Sequence, residues 1–449
     1  MKNTGNPANI INVMKRAAEG EQITIGFIGG SITQGAVVSD EALCYAARVF
    51  KWWKDTFPVA SVRYVNAGIG ATTSQFGVAR VSDDLLKYDP DFVIVEYSVN
   101  DNDEMLSDFS DDQIKVPDDR SGLFMETYEG LIRRILSYKT GSGNAPAVLI
   151  VNSVKYDNGR NFEEVHAEIG RHYNIPCISM KECIYDKFMS ASDGRLILPD
   201  GRKIGINEIT GDMLHPNDLG HGIVAGHITD YLDELKARSD NMDCKESGKC
   251  EEETDPYRRT RVQEDRQLPP ALTEDKYENA GRYNRLNSKP VLNGFIEDDT
   301  PVMEPFPINT AFDGKEYRQP CEDTVLSGEV RDVFKNGWHA SDKGDSITFE
   351  FTGTELAVMY RKSVNKPAPV AYAVIDHDEE HRIRLDGNFD EDWGDKAYMA
   401  TLMHHGRIIG TEDSHIDDKA CENKKHTLAI TLEEADACVT DFYLINVVY

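Results

Sequence analysis

A serine follows two glycines at the end of a short apolar run near the start of the chain. The run "ITIGFIGGSITQG" covers residues 23–35 and contains Gly29, Gly30 and Ser31. A serine just beyond the carboxyl end of a first parallel strand lies where open α/β sheets bind ligands. The glycines before it let backbone approach a ligand closely and leave N–H groups free to point at an anion. The alternative is a strand-to-helix turn whose hydroxyl only caps the helix.

Three other glycine-rich sites need spacings that this stretch does not have. The glycines at 26, 29, 30 and 35 do not fit the dinucleotide-binding pattern G-x-G-x-x-G, and no Gly-Lys-Ser/Thr follows as in a P-loop. The nucleophile elbow G-x-S-x-G needs a glycine where this chain has Thr33. These three sites are therefore not indicated. For Ser31 to be an acyl-transfer nucleophile rather than a cap, the chain must also supply a base, a group that orients the base, and donors for an oxyanion.

The stretch "TGDMLHPNDLGH", which starts at residue 210, supplies a base and a carboxylate. Asp212 and His215 are three residues apart in a predicted turn, and Pro216 suits the first turn of the helix that follows. This spacing can aim an imidazole at the crevice of the sheet while the carboxylate faces its other nitrogen. The pair stands immediately before the last helix of a domain whose first strand ends in Ser31.

Donors for an oxyanion follow two other predicted strands. The third strand ends in "VEYSVNDND", which places Asn100 at the same end of the sheet as Ser31. An asparagine amide can donate to an oxyanion without titrating, although it can also simply end a strand in an Asx turn. The glycine-rich loop "NAGIGATTS" at 66–74, after the second strand, can present a free backbone N–H.

The elements that must position these residues alternate between strands and helices. The strands are predicted at 23–28, 62–65, 91–97, 146–152 and 175–178. The helices are predicted at 40–56, 76–88, 121–138, 161–173 and 217–236. Short apolar runs alternating with segments of helical period indicate a parallel sheet covered by helices on both faces. We therefore predict an α/β, flavodoxin-like three-layer domain over 1–237.

The second half of the chain has a different pattern. Residues 238–300 are almost wholly charged or polar, which predicts a linker or surface excursion. From 301 to 449, apolar residues alternate with period two, as in "SITFEFTG", "ELAVMYR" and "TLAITLE". Such strands, separated by Gly, Asp and Asn turns, predict a β-sandwich of jelly-roll type.

Composition excludes several classes of partner. The 449 residues contain 49 Lys and Arg against 78 Asp and Glu, a formal net charge of −29, which disfavours nucleic acid and anionic membrane surfaces. Residues 1–20 carry no secretory signal pattern, and no run approaches 18 apolar residues, so we expect a cytoplasmic protein without a membrane partner. Eight scattered cysteines do not form a disulfide framework.

Taken together, the four stretches resemble the SGNH hydrolases, also called the GDSL esterase superfamily. The stretches stand in the family order, and the resemblance covers roughly residues 20–237. The resemblance implies that Ser31 is the nucleophile, that His215 is its base and that Asp212 orients the base. It also implies a serine esterase that works through an acyl-enzyme, with no metal or organic cofactor required.

The same resemblance implies the oxyanion donors. They are the N–H of Ser31, the side-chain amide of Asn100 and a backbone N–H of Gly70 or Ala71. The family's glycine in the second block, counted from Asn66, falls on Ala71 rather than Gly70. Two further departures lie away from the chemistry: Gly30 replaces the aspartate of Gly-Asp-Ser-Leu, and Ser98 replaces the glycine of Gly-x-Asn-Asp.

The Gly-Gly-Ser-Ile-Thr block followed by a β-sandwich looks like carbohydrate esterases that remove O-acetyl groups from plant-type saccharides such as mannan and xylan. This implies an acetylated oligosaccharide as the partner and a sandwich that resembles a carbohydrate-binding module. Trp338 and Trp393 are candidates for stacking on a sugar, although a tryptophan is often core. The alternatives are another ester, such as acetylated rhamnogalacturonan or a peptidoglycan sugar, or a sugar-binding protein without activity.

Overall fold

The structure is a computed structural model and describes most of the chain. The described residues are 3–102, 120–246, 268–273, 277, 279–283, 289–298, 324–326, 337–390, 394–409 and 424–449. For 120–121, 241–246 and 324–326 only the backbone is described.

A parallel sheet forms the centre of the first domain, as predicted. Five of its strands run in the order β2-β1-β3-β4-β5, the flavodoxin-like order. They are buried along nearly their whole length because helices cover both faces of the sheet. The bounds are Gln22–Gly29 (β1), Ser61–Gly68 (β2), Phe92–Glu96 (β3), Ala147–Asn152 (β4) and Cys177–Ser179 (β5).

Helices pack on the two faces over separate apolar cores. Among the described residues, none of them is long and apolar enough to cross a membrane. A two-stranded hairpin, β6 (Arg195–Ile197) with β7 (Lys203–Gly205), precedes the last helix. The helices are Ala8–Ala18 (α1), Ser31–Gln34 (α2), Tyr45–Thr56 (α3), Ser74–Asp84 (α4), Arg120–Ser137 (α5), Glu163–His172 (α6), Asp186–Ser190 (α7) and Asp218–Glu246 (α8).

The second domain is a sandwich of two antiparallel sheets, as the alternating pattern predicts. One sheet has the order β10-β12-β20-β14-β17-β18 with β8 also paired to β20, and the other has the order β16-β15-β19-β13-β9. Their bounds are Arg282–Tyr283 (β8), Val291–Asn293 (β9), Ile296–Glu297 (β10), Trp338–Ala340 (β12), Ser346–Thr352 (β13), Leu356–Lys362 (β14), Val370–Ile375 (β15), Ile383–Asp386 (β16), Lys396–His404 (β17), Arg407–Ile408 (β18), Lys425–Glu434 (β19) and Phe442–Val448 (β20).

The predicted domain boundaries need correction. Helix α8 continues to Glu246, past the predicted end of the first domain at 237. The predicted linker 238–300 contains β8, β9 and β10, which pair with β20, β13 and β12 of the sandwich. These strands have only two or three residues, too few to show a period of two. In addition, β11 (Thr324–Leu326) pairs in parallel with β2 and extends the sheet of the first domain.

The two domains share an apolar interface beside helix α4. Ile69, Phe76 and Ala79 of the first domain pack in one cluster with residues of β14, β17 and β20, among them Met359 and Tyr443. Polar contacts surround this cluster. They are Gln75 Nε2 to Thr401 Oγ1 at 3.1 Å and Arg282 Nη2 to Asp84 Oδ1 at 2.9 Å.

Candidate active site

Ser31 is the first residue of the short helix α2, directly after β1. Its side chain is almost fully buried, with 5% of the residue exposed. The turn before it depends on close backbone approach, because a Cβ on Gly29 would lie 2.4 Å from the backbone oxygen of Glu96 on the neighbouring strand. Gly29 therefore lets β1 and β3 meet where the chain turns into α2.

Gly30 likewise leaves room for the side chain of Asn100. A Cβ on Gly30 would lie 2.6 Å from Asn100 Nδ2, so the side-chain amide of Asn100 rests against the turn that carries Ser31. Asn100 Nδ2 donates a hydrogen bond to the backbone oxygen of Thr72 at 2.7 Å. An amide nitrogen carries two hydrogens, so this bond fixes the amide and uses only one of them.

Ser31, His215 and Asp212 form one chain of hydrogen bonds. Ser31 Oγ lies 2.9 Å from His215 Nε2, and His215 Nδ1 lies 2.6 Å from Asp212 Oδ2. An ionised carboxylate can only accept, so Nδ1 carries the proton and Nε2 presents its lone pair to the serine hydroxyl. The structure thus brings together three residues that stand 184 positions apart in the sequence at their extremes.

The turn at 210–216 fixes the carboxylate of Asp212. Its Oδ1 accepts hydrogen bonds from the backbone N–H groups of Leu214 at 2.9 Å and of His215 at 2.7 Å. Partial burial acts to raise the pKa of Asp212, but the hydrogen bonds from the His215 ring and from the two N–H groups outweigh it and hold the pKa well below its usual range. Asp212 is therefore ionised wherever His215 has to act as a base.

Helix α8 begins directly after this turn and holds it in place. Asn217 caps the helix, because its Oδ1 accepts from the N–H groups of Leu219 and Gly220, both at 3.1 Å. The predicted place of Pro216 in the first turn of the helix is therefore wrong by two residues: Pro216 precedes the cap. It instead pairs with Thr210 in an isolated antiparallel bridge that closes the turn.

Gly70 and Ala71, in the loop after β2, are the two candidates for the backbone oxyanion donor, and their surroundings differ. The N–H of Gly70 already donates to Gln34 Oε1 at 2.5 Å. Ala71 has a φ of 56°, in the left-handed region that favours glycine. Residue 71, where the family's glycine falls when counted from Asn66, is therefore a position that glycine would occupy without strain.

Two supporting side chains were not predicted from the sequence. Asn66 Nδ2 donates to the backbone oxygen of Thr33 at 2.8 Å, which ties the end of β2 to α2. Asp101, beside Asn100, accepts from the Ser74 N–H at 2.8 Å and contacts His166 Nε2 at 3.1 Å. Polar residues inside otherwise apolar strand ends were the only available signal for them.

Glu96 is a fully buried carboxyl group at the end of β3, next to the turn before Ser31. Burial raises the pKa of Glu96 to about 7, although a hydrogen bond from the Ser98 hydroxyl to Glu96 Oε1, at 3.3 Å, opposes the shift. His221, in the first turns of α8, is also fully buried, and burial lowers its pKa to about 3. His221 is therefore neutral, and its Nδ1 accepts from the Tyr45 N–H at 3.2 Å.

The two tryptophans predicted as sugar-stacking candidates differ in outcome. Trp338 is fully buried in the sandwich core, where its ring packs edge-on against Phe349 with centroids 5.3 Å apart. The prediction that Trp338 stacks on a sugar is therefore wrong, since neither face of its ring is exposed. Trp393 lies outside the described residues.

Comparison with known proteins finds a matching family and solved structures that match along the full chain. Residues 27–223 match the GDSL-like Lipase/Acylhydrolase family. Two crystal structures of a two-domain esterase active on acetylated mannans, one of them with mannopentaose, are 39% identical to this chain. The matches cover 100% of this chain and 95% and 96% of the chains in the two crystal structures, with TM-scores of 0.73 and 0.74. No curated protein matches the chain.

Proposed function

The chain belongs to the GDSL-like lipase/acylhydrolase family and is a carboxylic ester hydrolase, and from this we propose that it removes O-acetyl groups from plant-type oligosaccharides, first of all those of mannan. The observation that carries the proposal is the hydrogen-bonded series from Ser31 through His215 to Asp212 at the carboxyl edge of the sheet. A serine with an oriented base is what acyl transfer to a hydroxyl nucleophile requires.

In the proposed reaction, Ser31 Oγ bonds to the acetyl carbon while its proton passes to His215 Nε2. The tetrahedral intermediate then collapses, the bond from the acetyl carbon to the sugar oxygen breaks, and His215 returns the proton to that oxygen. Water attacks the acetyl-enzyme and gives a proton to His215. The bond to Ser31 Oγ breaks, Ser31 regains its proton and acetate leaves.

The oxyanion is assigned three donors. They are the N–H of Ser31, the second hydrogen of Asn100 Nδ2 and the N–H of Ala71. Ala71 is preferred to Gly70 because the Gly70 N–H is already bonded to Gln34 Oε1. Donors held by the fold before the reaction are effective because they need no reorganisation as charge develops.

The choice of substrate rests on the relative that spans both domains. That esterase acts on acetylated mannans, and the likeness runs through the whole chain, including the sandwich. Mannan-derived oligosaccharides are therefore preferred to xylan-derived ones for this protein. The sandwich is proposed to contribute to substrate choice and to leave the chemistry to the first domain.

Mass spectrometry of acetylated oligosaccharides before and after treatment with the protein tests the proposal. We expect loss of acetyl groups from mannan oligosaccharides faster than from xylan oligosaccharides. Ser31→Ala should abolish the loss, whereas Ser61→Ala, an exposed serine on β2, should leave it unchanged. Acetyl loss that survives Ser31→Ala in a folded protein contradicts the mechanism, and faster loss from xylan contradicts the substrate assignment.

A further inference from the structure

Two adjacent histidines of the sandwich meet a carboxylate of the first domain. His404 ends β17 and His405 lies in the turn to β18, while Glu126 lies on helix α5. His405 Nε2 is 3.1 Å from both carboxylate oxygens of Glu126, and His404 Nε2 is 3.9 Å from Glu126 Oε2. One donor atom from each residue lies within 4.8 Å of the other two.

A second carboxylate orients one of the imidazoles. His404 Nδ1 lies 2.9 Å from Glu355 Oε2, so Nδ1 carries the proton and Nε2 presents its lone pair toward Glu126. Glu355 is itself held, because it accepts from the His405 N–H at 2.6 Å and from the Tyr277 hydroxyl at 2.8 Å. A carboxylate on the far nitrogen of a histidine is the usual outer partner of a metal-binding imidazole.

The backbone at His405 is adapted to the contact. His404 pairs with Arg407 across the turn, and the two central residues have φ values of 49° (His405) and 73° (Gly406). A two-residue turn of this kind favours Asn followed by Gly. Here a histidine takes the position of the asparagine, and the left-handed conformation directs its ring to the carboxylate of the other domain.

We propose that Glu126, His404 and His405 form a binding site for a divalent transition-metal ion, with Zn²⁺ as the best match. Two imidazole nitrogens and one carboxylate oxygen are a common set of three protein ligands for Zn²⁺, with a fourth position for water. Donor atoms around a tetrahedral ion at bond lengths of about 2.0–2.1 Å lie roughly 3.3 Å apart. The separations in the cluster need only small side-chain movements to reach that value.

The ion would connect the two domains. Its ligands come from helix α5 on one side and from the turn between β17 and β18 on the other, and all three residues are mostly or partly buried. Binding to the folded protein and not to the unfolded chain stabilises the fold. None of its three ligands belongs to the Ser31, His215 and Asp212 series, and the test measures metal binding, so it does not depend on the esterase activity.

Titration of ZnCl₂ into full-length protein that carries no histidine tag and has been treated with a chelator tests the site. We expect calorimetry to detect one Zn²⁺ per chain and the melting temperature to rise on binding. Co²⁺ in place of Zn²⁺ should give the visible absorption bands of a tetrahedral nitrogen and oxygen site. Absence of binding by wild-type protein overturns the proposal.

Variants separate this site from other histidines and carboxylates. His405→Asn keeps the turn, because asparagine tolerates the left-handed region, and should abolish the Co²⁺ bands, as should Glu126→Gln. Glu355→Gln should weaken binding by about 10–100-fold, as expected for a positioning residue. His381→Ala, which removes an exposed histidine paired with Asp378, is the matched control and should change nothing. Binding that survives both His405→Asn and Glu126→Gln overturns the proposal.

Discussion

At the scale of single residues, Asn100 joins the turn of the nucleophile to the loop after β2. Its amide lies against Gly30 and donates to Thr72 O. We expect Asn100→Ala to lower kcat by about a hundredfold or more with little change in KM, because the lost donor serves mainly the transition state. Steady-state kinetics on an aryl acetate, corrected for the folded fraction, measure the effect.

Asn161→Ala is the matched control for Asn100→Ala. Asn161 Nδ2 donates to the backbone oxygen of Ser153 at 2.8 Å, a comparable bond from a partly buried asparagine to a loop carbonyl. Its loss should lower stability and leave kcat of the folded molecules unchanged. If Asn100→Ala behaves in the same way, Asn100 is only a residue that ends a strand.

The raised pKa of Glu96 predicts that the free energy of unfolding depends on pH. Its pKa is about 7 in the fold, whereas an unfolded glutamate has about 4.3. The folded state therefore binds the proton more tightly, so this group stabilises the fold below about pH 4 and loses that contribution as the pH rises through about 7. The difference in free energy of unfolding between Glu96→Gln and wild type should therefore change in favour of the variant as the pH rises from 4 to 8, by an amount of the order of a few kcal/mol.

Urea unfolding at several pH values measures this difference. The control is Glu350→Gln, the same substitution at an exposed position of β13, which removes no buried carboxyl group. A constant difference between Glu96→Gln and wild type from pH 4 to pH 8 would show that burial does not hold the Glu96 proton.

At the scale of elements, Gly68 lets the end of β2 pack against the helix that carries Ser31. A Cβ on Gly68 would lie 2.3 Å from the backbone nitrogen of Gln34, which cannot move away as a side chain can. We expect Gly68→Ala to cost about 1–3 kcal/mol of stability and to lower kcat/KM by displacing α2. Thermal melts and aryl acetate kinetics on the same preparation test both effects.

Gly226→Ala in helix α8 is the control for this glycine. An added Cβ there meets no described atom within 4 Å, and alanine in a helix interior is favoured over glycine by about 0.5–1 kcal/mol. The control should therefore keep full activity with equal or higher stability. Equal behaviour of the two variants would show that the close approach at Gly68 is not needed.

The sequence predicts the five strands β1–β5 and the helices α3–α6 and α8 because each buried strand is a continuous apolar run and each of these helices has its own period. It does not predict helix α1 or the hairpin of β6 and β7. It predicts Ser31, Asp212, His215 and Asn100 as a set because their order along the chain is that of a known family. It does not predict the bond between Gln34 and the Gly70 N–H, which depends on one side-chain conformation. Nor does it bring Glu126 and His405 together, because 279 positions separate them without any shared pattern.

At the scale of the whole molecule, strand β14 of the sandwich is buried on both faces. In β14, Leu356, Val358 and Tyr360 face the sandwich core, whereas Ala357 and Met359 face the first domain. The sequence "ELAVMYR" therefore carries two apolar faces, of which the period-two alternation predicts only the one toward the sandwich core. A strand that is apolar on both faces indicates a second packing surface, and this was the available signal for the domain interface.

The shared interface predicts that the two domains unfold together. Ile69, which precedes the Gly70–Ala71 loop, packs in the same cluster as Met359 and Tyr443. Leu428→Ala, at a fully buried position in the sandwich core, should cost about 2–5 kcal/mol, and Leu149→Ala should do the same in the core of the first domain. We expect a single calorimetric transition, whose temperature both variants lower. The temperature at which aryl acetate hydrolysis is lost should fall by the same amount, because unfolding of the sandwich removes the support of the oxyanion loop. Two separate transitions, with an inactivation temperature that Leu428→Ala leaves unchanged, would instead show that the first domain keeps its active geometry without the sandwich.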